Sequence, residues 1–119
     1  VENAHISRSL EKNILNPIRA LKANVNSECK YSQQKVVFQI WILRKVGGEY
    51  VQVRGFTRIM NSPLKSPYNV EIKDAWVACK TYQTYWYEIR SRSWATIGGK
   101  EYASGLAASA EPVKLNCGF

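Results

Sequence analysis

Residues 36–55, VVFQIWILRKVGGEYVQVRG, carry the pattern that decides the fold. The run VVFQIWIL at 36–43 is apolar on both faces of an extended chain, which is typical of a strand in the middle of a sheet that is covered on both sides. Gly47 and Gly48 follow, and both can adopt the positive φ angles that a tight type I′ hairpin turn requires. The stretch therefore predicts two long antiparallel strands joined by a short turn.

Alternation of apolar and polar residues with a period of two continues on either side of this hairpin. The further segments with this pattern are residues 18–28, 68–79, 84–97, 100–105 and 112–117. Two prolines and two serines mark residues 61–67 as a loop. Seven or eight short strands in 119 residues predict an all-β fold, an antiparallel immunoglobulin-like β-sandwich that forms one domain over residues 1–119, with a small β-barrel as second choice.

The first fifteen residues fit two kinds of secondary structure. Ile6, Leu10 and Ile14 recur every four positions, as on a helix, while the alternation expected of a strand is weaker there. A strand is slightly favoured, because sandwiches often begin with an edge strand. Either element should end at Asn16, since a residue that precedes a proline avoids the α region.

The net charge is +8, from 17 lysines and arginines against nine acidic residues. An excess of this size serves either solubility or an anionic partner, such as nucleic acid, anionic lipid, teichoic acid or acidic polysaccharide, and charge alone does not choose among these. No apolar run approaches the roughly 18 residues of a membrane span, so no integral membrane segment is expected. The chain starts at Val1 and not at a methionine, which favours removal of a secretory signal; artificial trimming is the alternative.

Three cysteines, Cys29, Cys79 and Cys117, are compatible with an oxidising, extracellular compartment. We expect one disulfide that includes Cys117, because a terminal strand gains stability from being tied down. Its partner is Cys29 if residues 112–117 form a separate returning strand, and Cys79 if they continue the line of residues 100–105 past a kink. An odd count leaves one thiol that is buried or that could link two chains as a dimer.

Three stretches resemble the small secreted β-sandwich proteins of Gram-positive bacteria, most of which are uncharacterised. They are VVFQIWILRKVGGEYVQVRG, WVACKTYQTYWYEIRSRSW and EPVKLNCG, within residues 29–118. The resemblance implies the sandwich fold and a secreted location. A broader immunoglobulin likeness lies in the spacing of Cys29 and Trp41, and it would pair Cys29 with Cys79. The strand YWYEI lacks the cysteine of that family, so only the architecture is inferred.

A candidate binding face lies in WYEIRSRSWA, residues 86–95. Tyr87 and Ile89 point toward the core, so the residues of the opposite parity, which include both tryptophans and both arginines, point outward. Flat rings stack on sugars and nucleobases, and guanidinium forks match phosphate or carboxylate. The alternative is an ordinary solvent face on which arginine stems cover neighbouring rings. The candidate ligand-binding residues are Trp86, Arg90, Arg92 and Trp94, together with Tyr50, Arg54 and Arg58 of the earlier hairpin and Tyr102 of the following strand.

Catalytic chemistry has little support in the sequence. His5 is the single histidine, and it lies near the start of the chain, where a nucleophilic triad is hard to build. Glu88 stands beside Arg90 as in a cross-strand ion pair, and no second carboxylate forms the pair that glycoside hydrolysis uses. No cluster of cysteine and histidine has the spacing of a metal site. We therefore expect no enzyme activity, no catalytic residue, no metal and no cofactor.

The sequence predicts a secreted, non-catalytic, basic binding or effector protein that acts at anionic or carbohydrate microbial surfaces, with an antimicrobial role among the options. Its expected partner is an anionic polymer, a cell wall or a carbohydrate surface. One alternative is a protein-interaction or enzyme-inhibitor module that uses residues 59–67 as a wedge. Another is a module that binds single-stranded nucleic acid, although no recognisable motif for it is present. A monomer is expected, with a dimer through the unpaired cysteine as the alternative.

Overall fold

The computed structural model describes residues 1–13, 15 and 17–119, and these contain eleven strands and one short helix, α1 (Arg8–Glu11). The strands are β1 (His5–Ile6), β2 (Ala20–Lys22), β3 (Val25–Glu28), β4 (Lys35–Val46), β5 (Glu49–Asn61), β6 (Asn69–Ile72), β7 (Trp76–Ala78), β8 (Thr81–Ile97), β9 (Lys100–Ala103), β10 (Ala107–Ala108) and β11 (Val113–Gly118). Every strand pairing is antiparallel. The predicted all-β class is confirmed.

The strands form two layers. The larger layer is a six-stranded sheet, curled like half of a barrel, in which β4 lies between β5 and β8 while β9, β10 and β11 all pair with β8. The smaller layer joins β1, β2 and β7 to the pair β3–β6. The Ala23 N–H donates to the Ala75 carbonyl at 2.8 Å, so β2 runs on into β3 beside β6 and β7. The described strands thus follow seven continuous lines of chain, in the layer arrangement of an immunoglobulin-like sandwich.

The predicted hairpin is formed by β4 and β5. Gly47 and Gly48 have φ angles of 59° and 89°, the left-handed values that the turn demands. The pairing register then shifts, because Ile42 lies opposite Arg54 whereas Leu43 lies opposite Gln52. Val53 is the extra residue of a β-bulge, and it inverts the alternation of side chains along β5. This bulge decides which predicted site residues share a face.

The core lies between the two layers and is built from one face of β4 and β8. Phe38, Ile40 and Ile42 of β4 are buried against Tyr87 and Ile89 of β8. The expectation that β4 would be the middle of the sheet is correct. The expectation that it would be covered on both sides is wrong, because the second layer lies on one face only; on the other face Val37, Gln39 and Trp41 are half-buried and Leu43 is buried.

The opening segment contains both elements that the sequence allowed. The two-residue strand β1 pairs with β2, and α1 follows after Ser7, whose hydroxyl accepts a hydrogen bond from the Leu10 N–H at 3.4 Å. This serine is a typical helix N-cap, since it satisfies a free backbone donor of the first turn. Ile14 and Asn16, on which the helical period and the predicted boundary rested, lie outside the described residues.

Cys79 and Cys117 form a disulfide, and Cys29 is a free, half-buried thiol. The prediction of a bridge that includes Cys117 is confirmed. Its partner is Cys79, which was expected if the last segments follow one line of chain. They do so, because β9, β10 and β11 follow one another along β8. The immunoglobulin-like pairing of Cys29 with Cys79 is wrong. Cys29 lies beside Tyr68 after β3, whereas Cys79 lies beside Arg19 at the opposite end of that layer.

Candidate binding face

The two faces of β8 have opposite characters. Tyr87, Ile89 and Ser91 point into the core and are buried. Trp86 and Trp94, with the residues of the same parity between them, point to the open side of the large sheet, and Trp86 is 43% exposed. The alternation in residues 86–95 therefore gives the faces of this strand correctly. The smaller layer covers the side of the sheet on which Tyr87, Ile89 and Ser91 lie, and this explains why that set is buried.

Trp41 belongs to the same open face, although the sequence placed it in an interior. It lies directly opposite Arg90 on β8 and opposite Gly55 on β5. A Cβ atom at Gly55 would lie 3.5 Å from Cδ1 of Trp41, so the indole rests over the bare backbone of the glycine. The regular register of the hairpin would place Arg54 opposite Trp41, so only the bulge at Val53 brings Gly55 to this position.

We define the aromatic–basic face as Trp41, Trp86, Arg90, Arg92 and Trp94. Alternate residues of a strand are about 7 Å apart and neighbouring strands about 5 Å apart. Arg90 therefore lies next to Trp41, and Arg92 and Trp94 follow it along β8. Their cross-strand partners on β4 are Trp41, Gln39 and Val37. Along β8 the two arginines are consecutive on this face and Trp86 and Trp94 lie on either side of them, over a distance that a few sugar units could span.

The two arginines of this face differ in their partners. Arg90 Nη2 lies 3.3 Å from a carboxylate oxygen of Glu88, which is a partly exposed ion pair. Arg92 is exposed and has no hydrogen bond, ion pair or ring contact to any residue that the structure describes. Lys114 adds a further charge, because it lies across from Trp86 on β11. The face therefore presents one free guanidinium and one that is already paired.

Cation–π contacts within the described chain use arginines outside this face. The pairs are Arg19 with Tyr82, Arg44 with Tyr85, Arg54 with Phe119 and Arg58 with Phe56. Arginine stems that cover rings, the alternative to a binding face, are thus found elsewhere in the molecule. None of these contacts covers a tryptophan of the face, of which Trp86 is exposed and Trp41 and Trp94 are half-buried.

Of the other four predicted residues, only Tyr50 shares the open face, where it lies across from Lys45 near the hairpin turn. Arg54, Arg58 and Tyr102 lie on the opposite face, so their expected place beside the tryptophans is wrong. The bulge explains the two arginines, because the pairing after Val53 puts them on the core side of β5.

Each of these displaced residues has its own surroundings. The Arg54 guanidinium lies 5.1 Å from the centre of the Phe119 ring. Arg58 Nε lies 3.2 Å from a carboxylate oxygen of Asp74. Tyr102 lies across from Ala95, on the core side of the sheet but beyond the core itself, and it is 53% exposed.

The titratable groups elsewhere give no sign of a second chemistry. No group of three or more histidine, cysteine, aspartate or glutamate side chains could hold a metal in residues 1–13, 15 and 17–119. The Tyr87 phenol is buried and donates a hydrogen bond to the Cys117 carbonyl, and burial raises its pKa above the usual 10.0. Its place in the core points to a structural role. No helix in the described part of the chain is long and apolar enough to cross a membrane.

Comparison with known proteins adds no relative. No family model, no curated protein and no solved structure matches this chain. The resemblance to small secreted proteins of Gram-positive bacteria stays a prediction, and function has to be argued from the aromatic–basic face.

Proposed function

We propose that this protein is a secreted, non-catalytic binding protein that holds an anionic carbohydrate polymer of a microbial surface on its aromatic–basic face. The observation that carries the proposal is the exposed, unpartnered Arg92 between Arg90 and Trp94 on an open sheet. A guanidinium without a partner on an exposed sheet face gives the fold little stability, whereas it suits an external anion.

The chemistry of the face matches such a polymer. An indole offers a flat apolar surface to the carbon–hydrogen face of a sugar ring, while a neighbouring arginine fork accepts a carboxylate or phosphate on that sugar. The net charge of +8 would draw an anionic polymer toward the protein before contact, and this attraction weakens as salt screens it. The Cys79–Cys117 disulfide supports the secreted location, because such bonds persist in oxidising compartments.

The proposal of a non-catalytic role follows from the residues available on the face. Glu88 is the one carboxylate of the face that lies near the arginines. Its Oε2 atom lies 3.3 Å from Nη2 of Arg90. Acid–base or nucleophilic catalysis on a sugar would need a second group close to Glu88, whereas Glu101, on the same side of the sheet, lies across from Thr96 near the far end of β8.

Single-stranded nucleic acid is the second candidate, because bases stack on tryptophan as sugars do and arginine binds their phosphates. The same face would serve both ligands. An anionic carbohydrate supplies sugar rings with acidic groups, whereas single-stranded nucleic acid supplies bases and phosphates. Parallel binding measurements with both kinds of polymer therefore separate the two candidates.

The test compares retention of the native chain on immobilised polygalacturonate, teichoic acid and single-stranded DNA. The variant is Arg92→Gln/Trp94→Ala, and the matched control is Arg54→Gln/Tyr68→Ala, which removes an arginine and an exposed ring away from the face. We expect the native chain and the control to bind one of the anionic carbohydrates, and the variant to lose most of that binding. Equal binding by all three proteins would refute the proposal, and a preference for DNA would establish the second candidate.

A further inference from the structure

Tyr102, which the sequence assigned to the tryptophan face, lines a separate groove. The groove has a volume of about 460 Å³ and is lined by Tyr31, Ile97 and Tyr102. Tyr31 comes from the segment between β3 and β4, while the other two come from the hairpin of β8 and β9. The tyrosine side chains are 69% and 53% exposed, and neither hydroxyl has a partner among the residues that the structure describes.

The two sides of the groove are joined by hydrogen bonds. The Gln34 N–H donates to the Thr96 carbonyl at 2.8 Å, and its side-chain oxygen accepts from the Gly99 N–H at 3.1 Å. The buried Gln33 amide donates to the Pro67 carbonyl at 3.1 Å and fixes the same segment from the other side. These bonds hold together the two backbone segments that carry the lining residues, so a ligand would have to order only the tyrosine side chains.

Two lysines are neighbours of residues that line the groove. Lys100 is the hairpin partner of Ile97, and Tyr102 stands two residues further along β9, so the three side chains share one face. Glu101 lies between them and points to the other face. Lys30 is next to Tyr31 in the sequence, and like Lys100 it is exposed and has no ion pair within the described chain. An anionic ligand is thus favoured over a neutral or cationic one.

We propose that this groove is a second carbohydrate site, which takes one sugar ring bearing an anionic group. The ring lies against the tyrosines, whose free hydroxyls bond to sugar hydroxyls, and the Lys100 ammonium pairs with the carboxylate or phosphate of the ligand. A volume of about 460 Å³ is in the range of small-ligand sites and is too small for a protein domain. The site is independent of the aromatic–basic face, because it lies on the other side of the large sheet.

The test titrates the full chain with trigalacturonate, glucose 6-phosphate, neutral galactotriose and adenosine monophosphate, following tyrosine ring signals by NMR. The variants are Tyr31→Ala, Tyr102→Ala and Lys100→Gln. Matched controls are Tyr68→Ala, a tyrosine of similar 54% exposure outside the groove, and Lys65→Gln. The Arg92→Gln/Trp94→Ala variant reports separately on the face.

We expect at least one of the two anionic sugars to bind, and neutral galactotriose to bind about tenfold more weakly. Each groove variant should weaken the anionic sugar about fivefold or more, since that is the loss caused by removing one stacked ring or one charge partner. In the controls and in the face variant, the ring signals of Tyr31 and Tyr102 should respond to the anionic sugar as they do in the native chain. The better of the two anionic sugars identifies whether carboxylate or phosphate is preferred.

Three results would overturn the inference. One is that neither anionic sugar binds at millimolar concentration. Another is that binding is lost in the face variant but kept in the groove variants, which would support the proposed function and leave the groove without a role. The third is that adenosine monophosphate binds and both sugars do not, which would make the groove a nucleotide site.

Discussion

Arg90 and Arg92 stand two residues apart on the same face of one strand, yet they are not equivalent. Glu88 lies 3.3 Å from Arg90 and neutralises it, whereas Arg92 has no partner in the described chain. An incoming anion gains most from a charge that is not already paired, because it does not have to displace a carboxylate. We therefore expect Arg92 to be the main anion contact of the aromatic–basic face.

Replacing Arg92 should weaken binding to an anionic polysaccharide more than replacing Arg90. For Arg92→Gln we expect a loss of about tenfold, the equivalent of one charge-assisted hydrogen bond, and for Arg90→Gln a smaller loss. Calorimetric titration with the polymer retained in the first test would measure both. Equal losses would contradict the assignment, and Lys65→Gln controls for the removal of net charge.

Tyr87 is the residue whose removal should report on the core. Its buried hydroxyl donates to the Cys117 carbonyl, so Tyr87→Phe should lower the free energy of unfolding by about 1–2 kcal/mol. Urea denaturation at neutral pH measures this, with the exposed Tyr82→Phe as a control that should change little. A neutral result for Tyr87→Phe would mean that the hydrogen bond adds no net stability.

The same phenol makes stability depend on alkaline pH. Burial is the largest cause that raises the pKa of Tyr87 above 10.0, so the unfolded chain releases this proton at a lower pH than the folded chain. Its contribution is therefore complete below pH 10 and is lost as pH rises toward the folded pKa. Denaturation at a series of pH values should show a steeper alkaline decline in the native chain than in Tyr87→Phe.

At the scale of the element, the sequence predicts strands better than it predicts their faces. The alternation around Tyr87 and Ile89 gives both faces of β8, because a long regular strand keeps its period. It fails along β5, since the bulge residue Val53 is itself a good strand former and carries no sign of a bulge. The alternation also misplaces Trp41. The position of the second layer, and not the strand itself, decides which face of an apolar strand is covered.

The β4–β5 turn offers a direct test of an element. Gly48 has a φ of +89°, which a residue with a Cβ adopts at a cost, so Gly48→Ala should lower the free energy of unfolding by about 1 kcal/mol. Gly105→Ala is the matched control, because its φ is not positive and a Cβ there meets nothing within 4 Å. Chemical denaturation of both variants checks this, and an equal effect would argue against the turn geometry.

At the scale of the whole molecule, the last third of the chain is built around β8. β9, β10 and β11 pair in turn with different parts of this 17-residue strand, and β4 pairs with its other edge. The disulfide fixes the far end of this arrangement by joining Cys117 in β11 to Cys79 just before β8. The pairing of the cysteines could not be chosen from the sequence, because it depended on whether residues 100–118 follow one line.

Breaking this bridge should destabilise the whole sandwich. We expect Cys117→Ala to lower the free energy of unfolding by about 2–4 kcal/mol, because the unfolded chain is no longer closed into a loop. Cys29→Ala should have a much smaller effect, since that thiol is unpaired and only half-buried. Equilibrium denaturation under oxidising conditions compares the two variants, and similar losses would contradict a specific role for the bridge.

The order of the cysteines has a consequence for biogenesis. During synthesis Cys29 and Cys79 both emerge before Cys117, so a non-native bridge between them is the first that the growing chain can form. That bridge would join opposite ends of the smaller layer and must be exchanged before β11 can settle along β8. Where the Cys29–Cys79 bridge forms, thiol–disulfide exchange has to precede the native pairing, so co-expression with a disulfide isomerase should raise the yield of the Cys79–Cys117 form.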